Sequence, residues 1–158
     1  LADSRFVARR IGTIFSLLCA SPAYLEKYGE PKSLDDLQKH ACLKLVNPSI
    51  TPQWHLVSEN SCSYQIDITG QLIADTPELL LDMVQQDMGI ALLPTFAVIE
   101  AIRTGRLRRV LADWRSPDIG VYTLLPSRHF IDAKTRAWLT WVEQHISPKI
   151  QSDTEYFL

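Results

Sequence analysis

The hydrophobic pattern is most ordered over Ile73–Pro94, where a short apolar run, an amphipathic stretch and a second apolar run follow one another. Leu79, Leu80, Met83 and Val84 recur at helical spacing and predict a helix with one buried stripe. Thr76 is suited to cap that helix, because its hydroxyl can accept an otherwise unpaired backbone N–H. Pro77 falls at the first helical position, where a missing N–H is harmless, and Glu78 sets negative charge at the positive end of the helix dipole. Gly89 is expected to take the left-handed cap. Ile90–Leu93 is too short for a helix and reads as a strand covered on both faces, stopped by Pro94. The whole is a strand, a helix and a strand, the unit of an open α/β sheet. Ligands in such sheets gather beyond the carboxyl ends of the strands, near helix starts. That rule singles out Asp75, Thr76, Pro94 and Thr95 at a pocket mouth, with Phe96 next in the chain.

The same reading extends to the rest of the chain. Residues 1–12 are polar and basic, a loop or the end of a strand. Thr13–Ala20 is apolar and β-rich, a buried strand. Ser21-Pro22 repeats the cap chemistry of Thr76-Pro77 and opens a short helix that stops at Gly29, and Ser33 with Asp36 resembles a capping box opening another to about Lys39. Ala41–Val46, Trp54–Val57, Ser63–Thr69 and Gln71–Ala74 read as strands. Asn47-Pro48-Ser49 and Thr51-Pro52 mark an exposed loop, Glu59-Asn60-Ser61 suits a hairpin turn, and Gly70 suits a bulge. Phe96–Arg103 is a helix ended by Gly105. A short strand through Leu107, Val110 and Leu111 leads to a polar link, 113–118, and Val121–Leu125 is a strand stopped by Pro126. Ile131–Ile146 is the last helix, with Asp132 as cap and Trp138, Trp141, Val142 and His145 on one face. Pro148 is expected to end it and Gln151–Leu158 to fray.

Composition narrows the function classes. The chain has 158 residues, 46% hydrophobic and 22% charged, enough for a real core, and a formal net charge of −2. Such a balance exerts no bulk attraction on nucleic acid or anionic membranes. Cys19, Cys42 and Cys62 lack metal-type spacing and read as free thiols of a reducing compartment. No apolar run approaches the roughly 20 residues that span a bilayer, and charge interrupts any signal-like segment at the N-terminus. With no initiator Met, the chain is expected to be part of a longer protein. His40, His55, His129 and His145 sit at no metal-ligand spacing, and no nucleophile elbow, dinucleotide fingerprint or P-loop occurs. No metal, no cofactor and no catalysis are therefore expected. Arg5, Arg9 and Arg10 read as solvated surface rather than a carboxylate site, and Asp82 and Asp87 as the solvated face of the central helix. The two capped starts at Ser21 and Thr76 offer free N–H groups to an anion, against the simpler role of capping their own helices.

The order of several short motifs carries more than any one of them. Asp3-Ser4-x-x-Val7-Ala8-Arg9-Arg10-x-Gly12 comes first, then Cys19-Ala20-Ser21-Pro22-Ala23-Tyr24-Leu25, then Leu37-x-x-His40-x-Cys42-Leu43 and Trp54. Gly89-Ile90-Ala91-Leu92-Leu93-Pro94, Gly105-Arg106-Leu107 and Val121-Tyr122-x-Leu124-x-Pro126 complete the set. Together, from residue 3 to about 146, they resemble the effector-binding domain of LysR-type transcriptional regulators. The resemblance implies an α/β, periplasmic-binding-protein-like (type 2) fold of two subdomains joined by two crossing strands. By position, residues 17–118 correspond to a complete second subdomain, and residues 1–16 and 119–158 to part of the first. A small anionic effector would bind between them, with Ser21, Asp75, Thr76, Pro94, Thr95 and Phe96 as candidates on the intact side. The implied partners are that effector, further copies of the chain in a dimer or tetramer, and promoter DNA reached only through a helix-turn-helix outside these residues. The implied setting is cytoplasmic. Ala74 before Asp75, where the family often has Asn, and Asp87, where it often has Gly, are departures. A solute-binding protein of the same fold is the alternative, and a small α/β enzyme a third reading. The last helix would bury Trp138 and Trp141 against sheet that these residues mostly lack, so that face is expected to be exposed and associating.

Overall fold

The structure, a computed structural model, describes residues 7–45, 53–58, 62–68, 72–125 and 132–158. The expected loop at 47–52, the hairpin turn at 59–61, the bulge at Gly70 and the stop at Pro126 lie outside the described residues, as does Arg5. In chain order the elements are β1 (Val7–Ile14), β2 (Ser16–Ala20), α1 (Pro22–Tyr28), a 3-10 turn (Asp35–Lys39), β3 (Cys42–Leu45), β4 (Trp54–Ser58), β5 (Ser63–Ile66) and β6 (Leu72–Ala74). They continue with α2 (Pro77–Gln85), β7 (Ile90–Pro94), α3 (Thr95–Arg103), β8 (Arg108–Arg109), β9 (Trp114–Arg115), β10 (Ile119–Leu125) and α4 (Ala133–Glu155). Two compact units result, Phe15–Pro117 and the pair of segments Leu1–Ile14 and Asp118–Leu158.

The larger unit is built on one mixed sheet in the order β5-β4-β9-β2-β7-β3-β6, with β8 also pairing β2. β3 lies parallel to both β6 and β7, while β2 runs antiparallel to β7. β6, α2 and β7 therefore form the strand-helix-strand unit read from the sequence, with β3 between the two strands. β2 is buried along its whole length. Its period of two sends Leu18 and Ala20 to a core with Tyr24, Leu37, Leu56 and Ile90, and Leu17 and Cys19 to the opposite face. Trp54 belongs to that core rather than to a pocket wall. α2 buries Leu80 and Val84 but leaves Leu79, expected in the stripe, about half exposed.

Local chemistry explains the helix starts. Ser21 Oγ accepts the Tyr24 N–H at 3.1 Å, Thr76 Oγ1 accepts the Leu79 N–H at 3.4 Å, and Asp132 Oδ1 accepts the Thr135 N–H at 2.7 Å. The Asp36 carboxylate accepts from the Ser33 N–H at 3.1 Å while Ser33 Oγ accepts the Asp36 N–H at 3.3 Å, a reciprocal box on a 3-10 turn. Those bonds, led by the one from Lys39 Nζ, hold the Asp36 carboxyl far below the usual carboxylate range.

Four expectations are corrected. α2 stops at Gln85, and the left-handed residue after it is Asp87 (φ 61°), not Gly89. Gly89 has a different task, since a Cβ there would stand 2.1 Å from the Ala41 carbonyl oxygen. That oxygen accepts the Ile90 N–H at 2.8 Å. The link 113–118 contains β9, and the expected strand Thr13–Ala20 is divided at Phe15, with Thr13 and Ile14 closing β1, which bears out the strand end read in 1–12, and Ser16–Ala20 forming β2. The fourth concerns Pro148, which does not end the last helix; α4 runs on to Glu155, and the tail does not fray.

The smaller unit pairs β1 with β10 antiparallel, and α4 packs on β1. Arg9 makes an ion pair with Glu143 of α4, so it is not simply solvated. α4 buries Leu139 and Val142 but leaves Trp138 and Trp141 53% and 50% exposed. Trp141 stacks on His145 with ring centroids 4.8 Å apart.

The three cysteines are free. Burial pushes the thiols of Cys19 and Cys42 up to about 12, against an ordinary value of 9.0, while Cys62 is exposed. The thiolate is the reactive form, and three pH units cut its fraction about a thousandfold. Alkylation at pH 8 is therefore expected to modify Cys62 within minutes and leave Cys19 and Cys42 intact until denaturant is added. Mass spectrometry of the modified peptides checks this, and equal labelling of all three thiols would contradict the packing.

Candidate functional site

Strand direction decides which of the candidate residues can act together. Leu45 of β3 faces Ala74 of β6, and Leu43 faces both Leu72 of β6 and Ala91 of β7. The carboxyl ends of β6 and β7 therefore emerge on one edge of the sheet. Asp75 and Thr76 follow β6 directly, Pro94 is the last residue of β7, and Thr95 and Phe96 open α3. These five residues share that edge.

Ser21 does not. Ser16 of β2 faces Pro94 and Cys19 faces Ala91. Ser21 thus lies five residues beyond the Pro94 level, roughly 16 Å away at about 3.3 Å per residue. Its hydroxyl is also committed, accepting from Tyr24 N–H and donating to Asp87 Oδ1 at 2.5 Å. α1 has only seven residues. Ser21 is a structural cap and a tie to the turn after α2, and Asp87 is accordingly more than a solvated face. A surface groove of about 490 Å³ lies near that opposite edge, lined by Gln38, Lys39, His40, Cys42, Leu72 and Met88 among others. Beside it the Ala41 N–H donates to the Tyr24 hydroxyl at 3.0 Å, and that hydroxyl meets His40 Nδ1 at 3.2 Å. Partial burial lowers the His40 pKa, which keeps Nδ1 available as an acceptor.

The two helix starts on the shared edge differ in charge. α2 begins with Asp75, the Thr76 hydroxyl and Glu78, so its positive end is already balanced. α3 begins at Pro94, with no side-chain cap and no acidic residue in its first turn. An anionic group is favoured at α3, and a hydroxyl or amine donor at Asp75 and Thr76. Phe96 is 49% exposed and offers an apolar face beside them.

Thr95 stands out chemically. Its N–H donates to the Phe15 carbonyl at 2.9 Å, yet its hydroxyl is fully buried without a protein partner. Leaving a buried hydroxyl unpaired costs about 1–3 kcal/mol, so such an atom calls for a partner, an ordered water or a ligand, or marks strain. Sequence reasoning missed the residues around it. The Ser16 N–H donates to Ser116 Oγ at 2.8 Å, and the Ser116 N–H donates to the Ser16 carbonyl at 2.9 Å. Both serines are buried, and Ser116 Oγ donates on to the Pro117 carbonyl at 2.9 Å. The Arg115 guanidinium lies 4.6 Å from the centre of the Phe15 ring. These contacts fasten the first residues of the larger unit to its last. The available signal was one serine, Ser16, inside the apolar run 14–20.

The edge thus offers hydroxyls, one carboxylate, an open helix start and an aromatic ring, but no nucleophile paired with a base. Among the described residues, no group of three His, Cys, Asp or Glu side chains is placed to hold a metal. Among them, too, no helix is long and apolar enough to cross a membrane.

Comparison with known proteins is consistent across sequence and structure. The family model described as the LysR substrate binding domain matches residues 1–147. An HTH-type transcriptional regulator of Xanthomonas campestris pv. campestris (strain 8004) is 28% identical over the whole of this chain, which covers 46% of that protein. The full-length structure of the Vibrio cholerae virulence activator AphB, a member of the LTTR protein family, matches 92% of this chain at 27% identity and a TM-score of 0.81, and 49% of it is covered. The regulatory domain of CrgA, a LysR-type transcriptional regulator from Neisseria meningitidis, matches 92% of this chain at 25% identity and a TM-score of 0.81, with 71% of it covered. The chain spans about half the length of the curated relatives it matches. Its fold is that of LysR regulatory domains, the periplasmic-binding-protein-like α/β architecture, and the matched relatives are transcriptional regulators rather than enzymes or solute-binding proteins. The chain belongs to the LysR substrate-binding-domain family.

Proposed function

We propose that this chain is the effector-sensing and oligomerising module of a cytoplasmic transcriptional regulator and has no catalytic activity of its own. Its parent would bind promoter DNA through a helix-turn-helix domain, as the names of its relatives suggest. Residues 17–118 would form one effector subdomain, and residues 1–16 and 119–158 would contribute to the other. The effector would contact the edge formed by Asp75, Thr76, Pro94, Thr95 and Phe96, with Ser21 outside the site.

The observation that carries the reading is the buried, unpartnered Thr95 hydroxyl at the uncapped start of α3, on the same edge as Asp75 and Thr76. A small anionic molecule with a hydroxyl or amine group and an apolar body fits that set of groups best. Its anionic group would lie at α3 and its donor at Asp75. Because Thr95 is fully buried, an effector reaches its hydroxyl only when the start of α3 shifts, and the energy of the new bond then favours the shifted state.

Single replacements test the assignment. Thr76→Val and Thr95→Val are expected to weaken binding of the active compound about tenfold each, consistent with one lost hydrogen bond. Ser21→Ala should leave affinity unchanged while lowering the melting temperature, because it removes a helix cap worth about 1 kcal/mol. Titration calorimetry reads the affinities. Unchanged affinity in both threonine variants would remove this edge from the site.

A further inference from the structure

The family match ends at residue 147, but α4 does not. A proline inside a helix forfeits one backbone hydrogen bond and crowds the preceding turn, at about 3 kcal/mol. The helix nevertheless continues through Pro148 for two further turns, so contacts made by those turns must hold it.

Those contacts converge on one short piece of β1. Arg10 faces Tyr122 and Gly12 faces Val121, so Ile11 is an extra residue that bulges the strand. Ile150 packs directly on Gly12, where an added Cβ would lie 2.6 Å from Ile150 Cγ2. Thr154 Oγ1 donates to the Thr13 carbonyl at 2.9 Å. Asp153 is buried and accepts from Lys149 Nζ at 2.6 Å, which steadies the two turns against each other. The half of α4 before Pro148 reaches β1 separately, through the Arg9–Glu143 ion pair. Thr13 is two residues from Phe15, where the chain passes into the larger unit.

We propose that residues 149–155 of α4 are a positioning strut that holds β1 at its bulge and so sets how readily this crossover strand yields when effector binds. The last clause rests on the effector-sensing reading; the strut itself does not. A Cβ at Gly12 would force Ile150 to shift, and Thr154 supplies a directional contact from α4 to the end of the strand. Both residues belong to the smaller unit, and the candidate effector edge to the larger.

Hydrogen exchange of the 158-residue chain, without any ligand, tests the strut. Thr154→Val keeps shape and removes only the bond, and it is expected to speed exchange of the 12–14 amides three- to tenfold. Gly12→Ala should speed it more, and Gly12→Ala with Ile150→Ala should recover part of the protection. The Ile90 and Thr95 amides of the larger unit should stay at their original rates in Thr154→Val. Unchanged β1 rates in Thr154→Val would overturn the proposal, and so would a uniform rise across both units or a wild-type β1 that exchanges without protection. If Gly12→Ala fails to fold, Thr154→Val decides alone. Because no effector is present, failure here leaves the effector reading standing, and failure of effector binding leaves the strut standing.

Discussion

Gly89→Ala is expected to lower the melting temperature by about 10 °C. The new methyl would stand 2.1 Å from the Ala41 carbonyl oxygen, which real atoms never reach, and that oxygen holds the Ile90 N–H. Either the bond breaks or β7 moves away from the start of β3. Gly89 also has a φ of 154°, where side chains are rarely found. Loss of a buried hydrogen bond together with backbone strain amounts to about 3 kcal/mol. In a domain of this length each kcal/mol shifts the midpoint by about 2–4 °C. The consequence reaches the candidate site, because β7 starts directly after Gly89 and ends at Pro94. Calorimetry of the variant is the check. A melt within 2 °C of wild type would mean that β7 is not pinned there. Asp87→Gly, by contrast, removes a left-handed strain and the Ser21 contact together, and its net effect should be small.

The second large effect is self-association of the isolated chain. α4 leaves Trp138 and Trp141 half exposed, and β10 leaves Ile119, Tyr122 and Leu124 about half exposed. These side chains belong to the smaller unit, whose sheet has two strands among the described residues. Covering the remaining half of each indole removes about 100 Å² from water, which at about 25 cal/mol per Å² is about 2.5 kcal/mol per ring. The two rings on each of two copies supply about 10 kcal/mol, and association costs at least about 4 kcal/mol, so these rings support a Kd of tens of micromolar at the tightest. Sedimentation velocity is expected to show concentration-dependent dimers or larger species. Trp138→Ser with Trp141→Ser should shift the chain toward monomer without changing the melt of the larger unit. A wild-type chain that stays monomeric at about 1 mM, well above a Kd of tens of micromolar, would contradict this.

The sequence was most readable where structure is decided within a few residues. Thr76-Pro77, Ser21-Pro22 and Asp132 open helices because a hydroxyl or carboxylate meets an N–H three positions on, which spacing alone predicts. The fold class and the strand-helix-strand unit through β6, α2 and β7 followed from periodicity, and the family from the order of motifs. What was hidden depends on distant partners. Pro148 looked like a helix end because the compensating contacts, Ile150 on Gly12 and Thr154 on Thr13, lie well over a hundred residues away in sequence. Ser21 and Thr76 look alike as caps, and only the antiparallel register of β2 on β7 separates them onto opposite edges. The Ser16–Ser116 pair joins positions exactly one hundred residues apart, and nothing local announces it. Gly89 seemed a helix cap because glycine usually is; its true constraint is the Ala41 carbonyl of another strand.

The central claim is that this fold holds a small effector at the edge formed by β6, β7 and the starts of α2 and α3. The most direct measurement is thermal unfolding of the chain with and without a panel of small aromatic and aliphatic carboxylates, hydroxy acids, amino acids and sugars. A ligand at about 100 times its Kd adds about 2.7 kcal/mol, several degrees in a domain of this size. A cooperative melt is expected, raised selectively by one chemical class, an anion carrying a hydroxyl or amine, with the rise cut to about half by Thr95→Val and kept by Ser21→Ala. A selective rise that survives Thr95→Val and Thr76→Val undiminished and disappears in Ser21→Ala would contradict the claim, and would move the site to the opposite edge of the sheet.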